Sequence, residues 1–253
     1  MDTTQAIEEQ KENKSLIERM FKAGAHFGYT RSRRHPSFKS SVFGSKDGSD
    51  IVNLEKTGSF LMRALDFVKN ASSENKTIIF VGTKPEARKI VEGCAISLGL
   101  PYVSYRWIGG TFTNFPEIKK RLAVLGALQK KKEDGEFDVY TKKERLNIDR
   151  EIQKLIRNFG GIATLDKVPG ALFVIDPRHE RTVVVEAKTK HIPIVALAGS
   201  DCNLEEIDYP IPANDSSIAS ITFFVGEIAR AYKEGLSNRK PTSTDNDVGQ
   251  NKD

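Results

Sequence analysis

The stretch Thr77-Ile-Ile-Phe-Val-Gly-Thr-Lys84 decides the fold. Ile78 to Val81 run apolar without alternation and stop at Gly82. A strand with one wet face alternates apolar and polar residues, whereas a continuous run marks a strand buried on both faces of a parallel sheet. Pro85 stands where a helix opens, because its missing N–H is not needed there and its φ is already helical. Ala87, Ile90, Val91, Cys94 and Leu98 recur at helical spacing, and Gly99 closes the segment.

Outward from this unit the rhythm repeats. Ala171–Ile175 reads as a strand, 182–190 as a helix, Ile194–Leu197 as a strand. Asp208-Tyr-Pro-Ile211 reads as an edge strand, since Pro210 lacks a ladder donor. Asp215 is expected to cap a last helix through Ile218, Ile221, Val225, Ile228 and Tyr232, and 58–71 reads as a helix from Phe60, Leu61, Ala64, Leu65 and Val68. Ser15 and Glu18 form a capping-box pattern opening a helix over 16–23. Residues 26–50 are basic, rich in Gly and Ser and without sustained periodicity, and read as a loop. The alternation predicts an α/β fold: a flavodoxin/Rossmann-like parallel sheet flanked by helices. Between its halves, Ile118, Leu122 and Leu125, then Ile148, Ile152, Leu155 and Phe159, follow heptad-like seams, with a Thr141/Glu144 capping box between them. They predict an inserted antiparallel coiled-coil helical hairpin. The expected organisation is an α/β domain over 1–116 and 160–236, including the N-terminal helix and basic loop 15–50, a hairpin over 117–159 and a disordered tail over 237–253.

The chain has 253 residues and a formal charge of +5, with 38% hydrophobic and 29% charged residues. That length buries a core without disulfides or a metal. No apolar run is long enough to span a membrane, and the polar start lacks a secretory pattern, so a cytoplasmic protein is expected. Cys94 and Cys202 alone make neither a disulfide scaffold nor a four-cysteine zinc site. The charge is unevenly placed. Residues 19–46 carry seven bases and no acid, 117–157 carry twelve bases and eight acids, and 158–236 carry seven bases and eleven acids. Such blocks set up a directional field suited to facing phosphates on one side.

A parallel sheet invites a search for nucleotide chemistry. Gly82-Thr83-Lys84 follows a strand, but no glycine precedes it at phosphate-loop spacing and G-x-G-x-x-G is absent. Gly82 then serves the strand-to-helix turn, and Thr83 and Lys84 at the helix start are candidates for one RNA phosphate. In Arg106-Trp-Ile-Gly-Gly-Thr111, Trp107 reads as buried at the hairpin root, with base stacking as the alternative, and Arg106 is the RNA candidate. In His26–His35, Arg31, Arg33 and Arg34 suit phosphate contact; the alternative is a basic loop without defined contacts. His26, Asp176, His179 and Asp201 are metal-ligand types, but nothing in their spacing joins them, so no metal or cofactor is assigned. Asp176-Pro-Arg-His-Glu180 lies at a strand's carboxyl end, where α/β enzymes place their sites; it reads as a helix start, and no catalytic residue is assigned. The rival reading is an α/β nucleotide-binding protein or enzyme.

Seven strings in order give the chain a resemblance: Lys22-Ala-Gly-Ala-His-Phe-Gly28, Ile51-Val-Asn-Leu-Glu-Lys-Thr57, Phe80-Val-Gly-Thr-Lys84, Arg106-Trp-Ile-Gly-Gly-Thr111 with Thr113-Asn114, Thr141-Lys-Lys-Glu144, Phe173-Val-Ile-Asp176 and Asp208-Tyr-Pro-Ile-Pro-Ala-Asn-Asp215. Over roughly residues 16–236 the chain resembles the bacterial form of the second protein of the small ribosomal subunit, the universal ribosomal protein S2 family. The resemblance implies a flavodoxin-like sheet with a protruding hairpin. It also implies a non-catalytic role in the small subunit, binding 16S-type rRNA and helping to dock the mRNA-binding ribosomal protein built of repeated OB domains. On this reading Arg31, Arg33, Arg34, Lys39, Lys46, Lys84, Arg106, Lys119, Lys120 and Arg121 are expected to face RNA. Glu205, Glu206 and Asp208 are expected to face a protein partner. The chain departs from the family pattern at Tyr29, where many bacterial members carry a second His. It departs again at Ala198-Gly-Ser-Asp-Cys-Asn203, where the family commonly reads Asp-Thr-Asn-Cys-Asp-Pro.

Overall fold

Along Ile78–Val81 the side chains leave the strand alternately to two sides, and both sides are dry. Ile78 and Phe80 join one apolar cluster; Ile79 and Val81 join another. This is what a strand buried on both faces requires, and the rest of the fold is two helical layers over one sheet. The structure, a computed structural model, describes residues 14–238.

The main sheet is parallel and contains β4 (Ile78–Val81), β5 (Tyr102–Val103), β6 (Ala171–Ile175), β7 (Ile194–Ala198) and β8 (Tyr209–Pro212), in the order β5-β4-β6-β7-β8. In chain order that is second, first, third, fourth, fifth: the flavodoxin arrangement, whose order reverses between β4 and β6. β8 is an edge strand carrying Pro210 opposite Ala196, where a missing N–H costs no ladder bond. One layer is α2 (Leu54–Ser73), α3 (Pro85–Leu98) and α7 (Ile218–Ser237), burying Leu61, Val91, Phe224 and Ile228 against Phe80 and Phe173. The other is α6 (Arg181–Thr189) with the roots of α4 (Phe115–Glu133) and α5 (Lys142–Phe159), burying Val183, Ile118 and Phe159 against Val81 and Val174. α4 and α5 lie side by side. Leu125 and Ile152 are buried, the Thr141/Glu144 capping box forms, and Lys132 Nζ reaches Asp149 Oδ1 at 2.7 Å. No helix among the described residues is long and apolar enough to cross a membrane.

Four expectations change. Residues 26–50 are not a loop: β1 (Phe27–Thr30), β2 (Val42–Lys46) and β3 (Ser49–Val52) form a second, antiparallel sheet in the order β1-β3-β2. Its strands are too short, and too interrupted by Gly28 and Gly44, to show alternation. The signal was the turn: Asp47 (φ 51°) and Gly48 (φ 78°) are a two-residue hairpin link with both residues left-handed, the strongest short-range hairpin mark. Second, α2 begins at Leu54 because Asn53 Oδ1 accepts the N–H of Glu55 (3.0 Å) and Lys56 (3.2 Å). Third, Asp215 does not cap α7. Asn214 Oδ1 takes the N–H of Ser216 and Ser217, and Asp215 is buried elsewhere. Fourth, near the N-terminus residues 14–22 (α1) are helical, so Ser15 lies within the helix. Of the tail expected over 237–253, Ser237 ends α7, Asn238 is its cap and the remainder lies outside the described residues.

Gly235 sets how closely α7 lies on α2. A Cβ there would stand 2.4 Å from the Lys69 carbonyl oxygen and 2.7 Å from Ser72 Cβ, beside the 2.7 Å bond from Ser72 Oγ to the Tyr232 carbonyl. Overpacking of this kind costs about 1–3 kcal/mol. Gly235→Ala is therefore expected to lower stability by that amount, read as a lower urea midpoint with an unchanged m-value, while Gly93→Ala, in open space on α3, should not.

Candidate nucleic-acid interface

In a flavodoxin-like sheet, ligands enter at the carboxyl ends of the strands where the order reverses. Here that place is filled from within. Lys84, leaving β4, puts its Nζ between the carboxylates of Asp176, at the end of β6, and Asp215, at 3.1 Å from Oδ2. Tyr29 Oη, from β1, lies 3.3 Å from the same Nζ and 2.6 Å from Ser216 Oγ. Only 15% of the Lys84 side chain is exposed. Thr83 is equally engaged: its N–H and hydroxyl both donate to Glu180 Oε1. Gly82 admits α3, since a Cβ there would meet Val91 at 2.9 Å and Ala87 at 3.1 Å. Lys84 and Thr83, expected to face an RNA phosphate, instead close the crevice.

The charges there are strongly coupled. Burial by itself would lower the Lys84 pKa, but Asp215 and Asp176 outweigh it and hold the ammonium charged well above its usual range. Burial would raise Asp176, yet Lys84 and the His179 N–H bring it below the usual carboxylate range. Asp215 is pushed up to about 6, by burial first and then by Asp176, against the pull of Lys84. Asp176 sits at φ 58°, a left-handed geometry aspartate tolerates when its side chain bonds locally; Oδ1 accepts the N–H of Arg178 (3.1 Å) and His179 (3.0 Å). The motif 176–180 is thus a helix start, as read from sequence.

Of the four metal-ligand candidates, His26 is elsewhere, its ring stacked 4.4 Å from Phe21 and tilted against Phe27 at 4.1 Å. Asp201 pairs with Arg178 at 2.7 Å. The residues that do converge are Asp176, Cys202 and Asp215. Their negative charge is met by the Lys84 ammonium, and burial followed by the neighbouring carboxylates pushes the Cys202 thiol far up, away from the thiolate a metal needs.

The two departures from the family pattern meet at this cluster. A Cβ on Gly199 would lie 2.8 Å from the Tyr29 ring and 2.6 Å from Asp215 Oδ1, and Tyr29 N–H donates to Ser200 Oγ at 2.9 Å. The glycine makes room for the tyrosine, and the serine holds the strand that carries it.

The antiparallel sheet and its flanking turns present the basic residues. Arg31, Arg33, Lys39 and Lys46 are exposed; Arg33 lies over the Tyr29 ring. Arg34 differs: its side chain is 19% exposed and reaches the buried Asp50, which Ser45 also binds. Arg106 is exposed, beside a buried Trp107. Sequence reasoning missed what fixes that loop. The buried Glu186 of α6 accepts Trp107 Nε1–H (3.2 Å) and the N–H groups of Gly110 (2.7 Å), Phe112 (2.9 Å) and Thr113 (3.3 Å). An acid on the inward face of an otherwise apolar helix was the available sign. Lys119, Lys120 and Arg121 are exposed on the first turns of α4. Glu205 and Glu206 are exposed; Asp208 accepts the Ile194 N–H at 2.9 Å and so helps start β7.

A flavodoxin-like body with its switch point filled by its own ion pairs and its basic residues turned outward is a scaffold that displays cations. The model of the family described as Ribosomal protein S2 matches residues 20–235. The small ribosomal subunit protein uS2 of Chloroflexus aurantiacus (strain J-10-fl) is 40% identical over 224 residues, 88% of this chain and 94% of that one. The protein of that name from Roseiflexus sp. (strain RS-1) is 39% identical over 226 residues, 89% and 86% of the two chains. The chain belongs to the ribosomal protein S2 family, structural components of the small ribosomal subunit and not enzymes.

Asp215 makes a pH prediction. Its folded pKa, about 6, exceeds the ordinary 3.8, so its contribution favours folding below about pH 4 and is lost as pH rises through 6. Asp176, lowered, acts in the opposite sense and at lower pH. Asp215→Asn should therefore gain stability relative to the parent between pH 4.5 and 7, read as the change in urea midpoint; a constant difference would refute the assignment.

Proposed function

We propose that the chain binds 16S-type rRNA within a cytoplasmic small ribosomal subunit. The contacts run through Arg31, Arg33, Lys39 and Lys46 of the antiparallel-sheet region, Arg106 at the hairpin root, and Lys119, Lys120 and Arg121 at its base. The observation that carries this reading is the run 19–46, which holds seven bases and no acid and exposes Arg31, Arg33, Lys39 and Lys46 on one short sheet and its turns. These four form no ion pair among the described residues, and such cations on a rigid support release counterions from phosphates at little ordering cost. Lys84 and Arg34 leave the set, being held by Asp176, Asp215 and Asp50. The α/β body (to 116 and from 160) orients both groups, and the pair of helices over 117–159 acts as the inserted arm.

Glu205 and Glu206 form the face we assign to a basic protein partner, with docking of the multi-OB mRNA-binding ribosomal protein as the expected event. Exposed acids there repel rRNA and attract a cationic module. Asp208 belongs to this face only secondarily, being tied to the β7 backbone.

Affinity for 16S-type rRNA measured across a salt series tests the main claim. Arg31→Gln/Lys39→Gln/Lys46→Gln should weaken binding and make the log–log salt slope shallower by about two to three, at roughly 0.7–0.9 per lost phosphate contact. Such a variant should also leave the small-subunit fractions of a sucrose gradient. An unchanged slope would remove these residues from the interface.

A further inference from the structure

Beside the closed switch point, over the carboxyl ends of β6 and β7, lies an open cleft of about 380 Å3. Two distant parts of the chain build it. The turn after β1 supplies Arg33, Arg34 and His35; the loops after β6 and β7 supply Arg178, Arg181 and Asn203. The His35 N–H bonds the Ser200 carbonyl (2.9 Å), and the Leu204 N–H bonds Ser37 Oγ (3.0 Å). The walls are thus fixed to one another before anything binds.

The cleft has a surplus of cations. Four guanidinium groups line it against two carboxylates, Asp201 and Glu206. Asp201 is already paired with Arg178 at 2.7 Å, and Glu206 accepts Asn203 Nδ2–H at 3.1 Å. Arg34 is turned to Asp50. Arg33 and Arg181 are exposed and form no ion pair among the described residues. Arg181 is also the first residue of α6 and follows its N-cap, the buried Glu180, whose carboxylate is turned to Thr83. Next to these cations the lining is apolar: Pro36, Pro177, Val184 and Ile207. A bare phosphate has no use for that wall, and an A-form helix presents its phosphates on a convex surface that does not enter a cleft. An unstacked nucleotide uses both, its phosphate on the guanidinium groups and its base face on the apolar side.

Resting on the rRNA-binding reading, we propose that this cleft holds a single nucleotide of the rRNA turned out of its helix, with Arg33 and Arg181 at its phosphate and the Arg178–Asp201 pair beside them. The Asp176-Pro-Arg-His-Glu180 turn then has a role beyond starting α6, since it carries Arg178 to the cleft.

The test uses the full chain, 16S-type rRNA over a salt series, and Arg33→Gln/Arg181→Gln. Both residues are exposed and outside the ion pairs, and thermal unfolding checks the fold. The double variant should bind rRNA about tenfold or more weakly, with a slope shallower by about one to two. On the free protein, 5′-AMP in large excess should raise the thermal midpoint of the parent, adenosine should not, and the double variant should lose the effect. Should the double variant fail to fold, Arg181→Gln alone carries the test with about half the slope change, since Arg181 lies outside the contacts assigned above. Parent and variant binding rRNA alike overturns the proposal and leaves the rRNA reading intact. A parent without rRNA affinity overturns both. Stabilisation by 5′-AMP with unchanged rRNA affinity overturns it in favour of a site for free nucleotide, and no response to 5′-AMP overturns the nucleotide assignment.

Discussion

One ammonium between two buried carboxylates holds the functional end of this molecule together. Lys84 comes from β4, Asp176 from β6, Asp215 from the turn before α7, and Tyr29 from the antiparallel sheet. Four segments far apart in sequence therefore meet on one charge. Two carboxylates without that ammonium would be buried, alike in sign and close together. Removing one partner from such a group costs much more than the net worth of the pair, because a buried charge is left uncompensated. At the topological switch point of the sheet the protein's own lysine is held by two of its own carboxylates.

The surface follows from this interior. Because Tyr29 and Ser200 fasten β1 to the end of β7, and Asp50 draws Arg34 inward, the remaining bases of 19–46 are displayed from a fixed support. At the other side Glu186 gathers four N–H donors from the 107–113 loop, so the start of α4 and the exposed Arg106 are held by a buried acid. In both places an internal carboxylate sets the position of external cations.

The parts of the fold that were legible in the sequence are those written in local periodicity. The apolar runs at 78–81, 171–175 and 194–197 are strands, Pro85 and Gly99 bound a helix, and Thr141 with Glu144 opens another. The antiparallel sheet was hidden because its strands are only four or five residues long; Asp47-Gly48 announced it nonetheless. β5, two residues long, carries too little pattern to be seen. The carboxylate partners of Lys84 were not legible, for a different reason. Its position after a strand and before a helix suits a phosphate ligand, and its true partners lie 92 and 131 residues away, where no local pattern reaches. Trp107 was legible as buried because a lone large aromatic beside paired glycines at a junction has little else to do. Its partner Glu186 was missed, although its place among Val183, Val184 and Ala187 marked it as inward-facing.

The most direct test of this account is Lys84→Met, with urea unfolding and the salt dependence of rRNA binding measured on the same protein. The variant is expected to lose about 3–5 kcal/mol of folding stability, with a salt slope equal to that of the parent under conditions where it is folded. A protein of unchanged stability whose salt slope falls by about one would show that Lys84 faces a phosphate and that the closed crevice is not what holds this end of the molecule together.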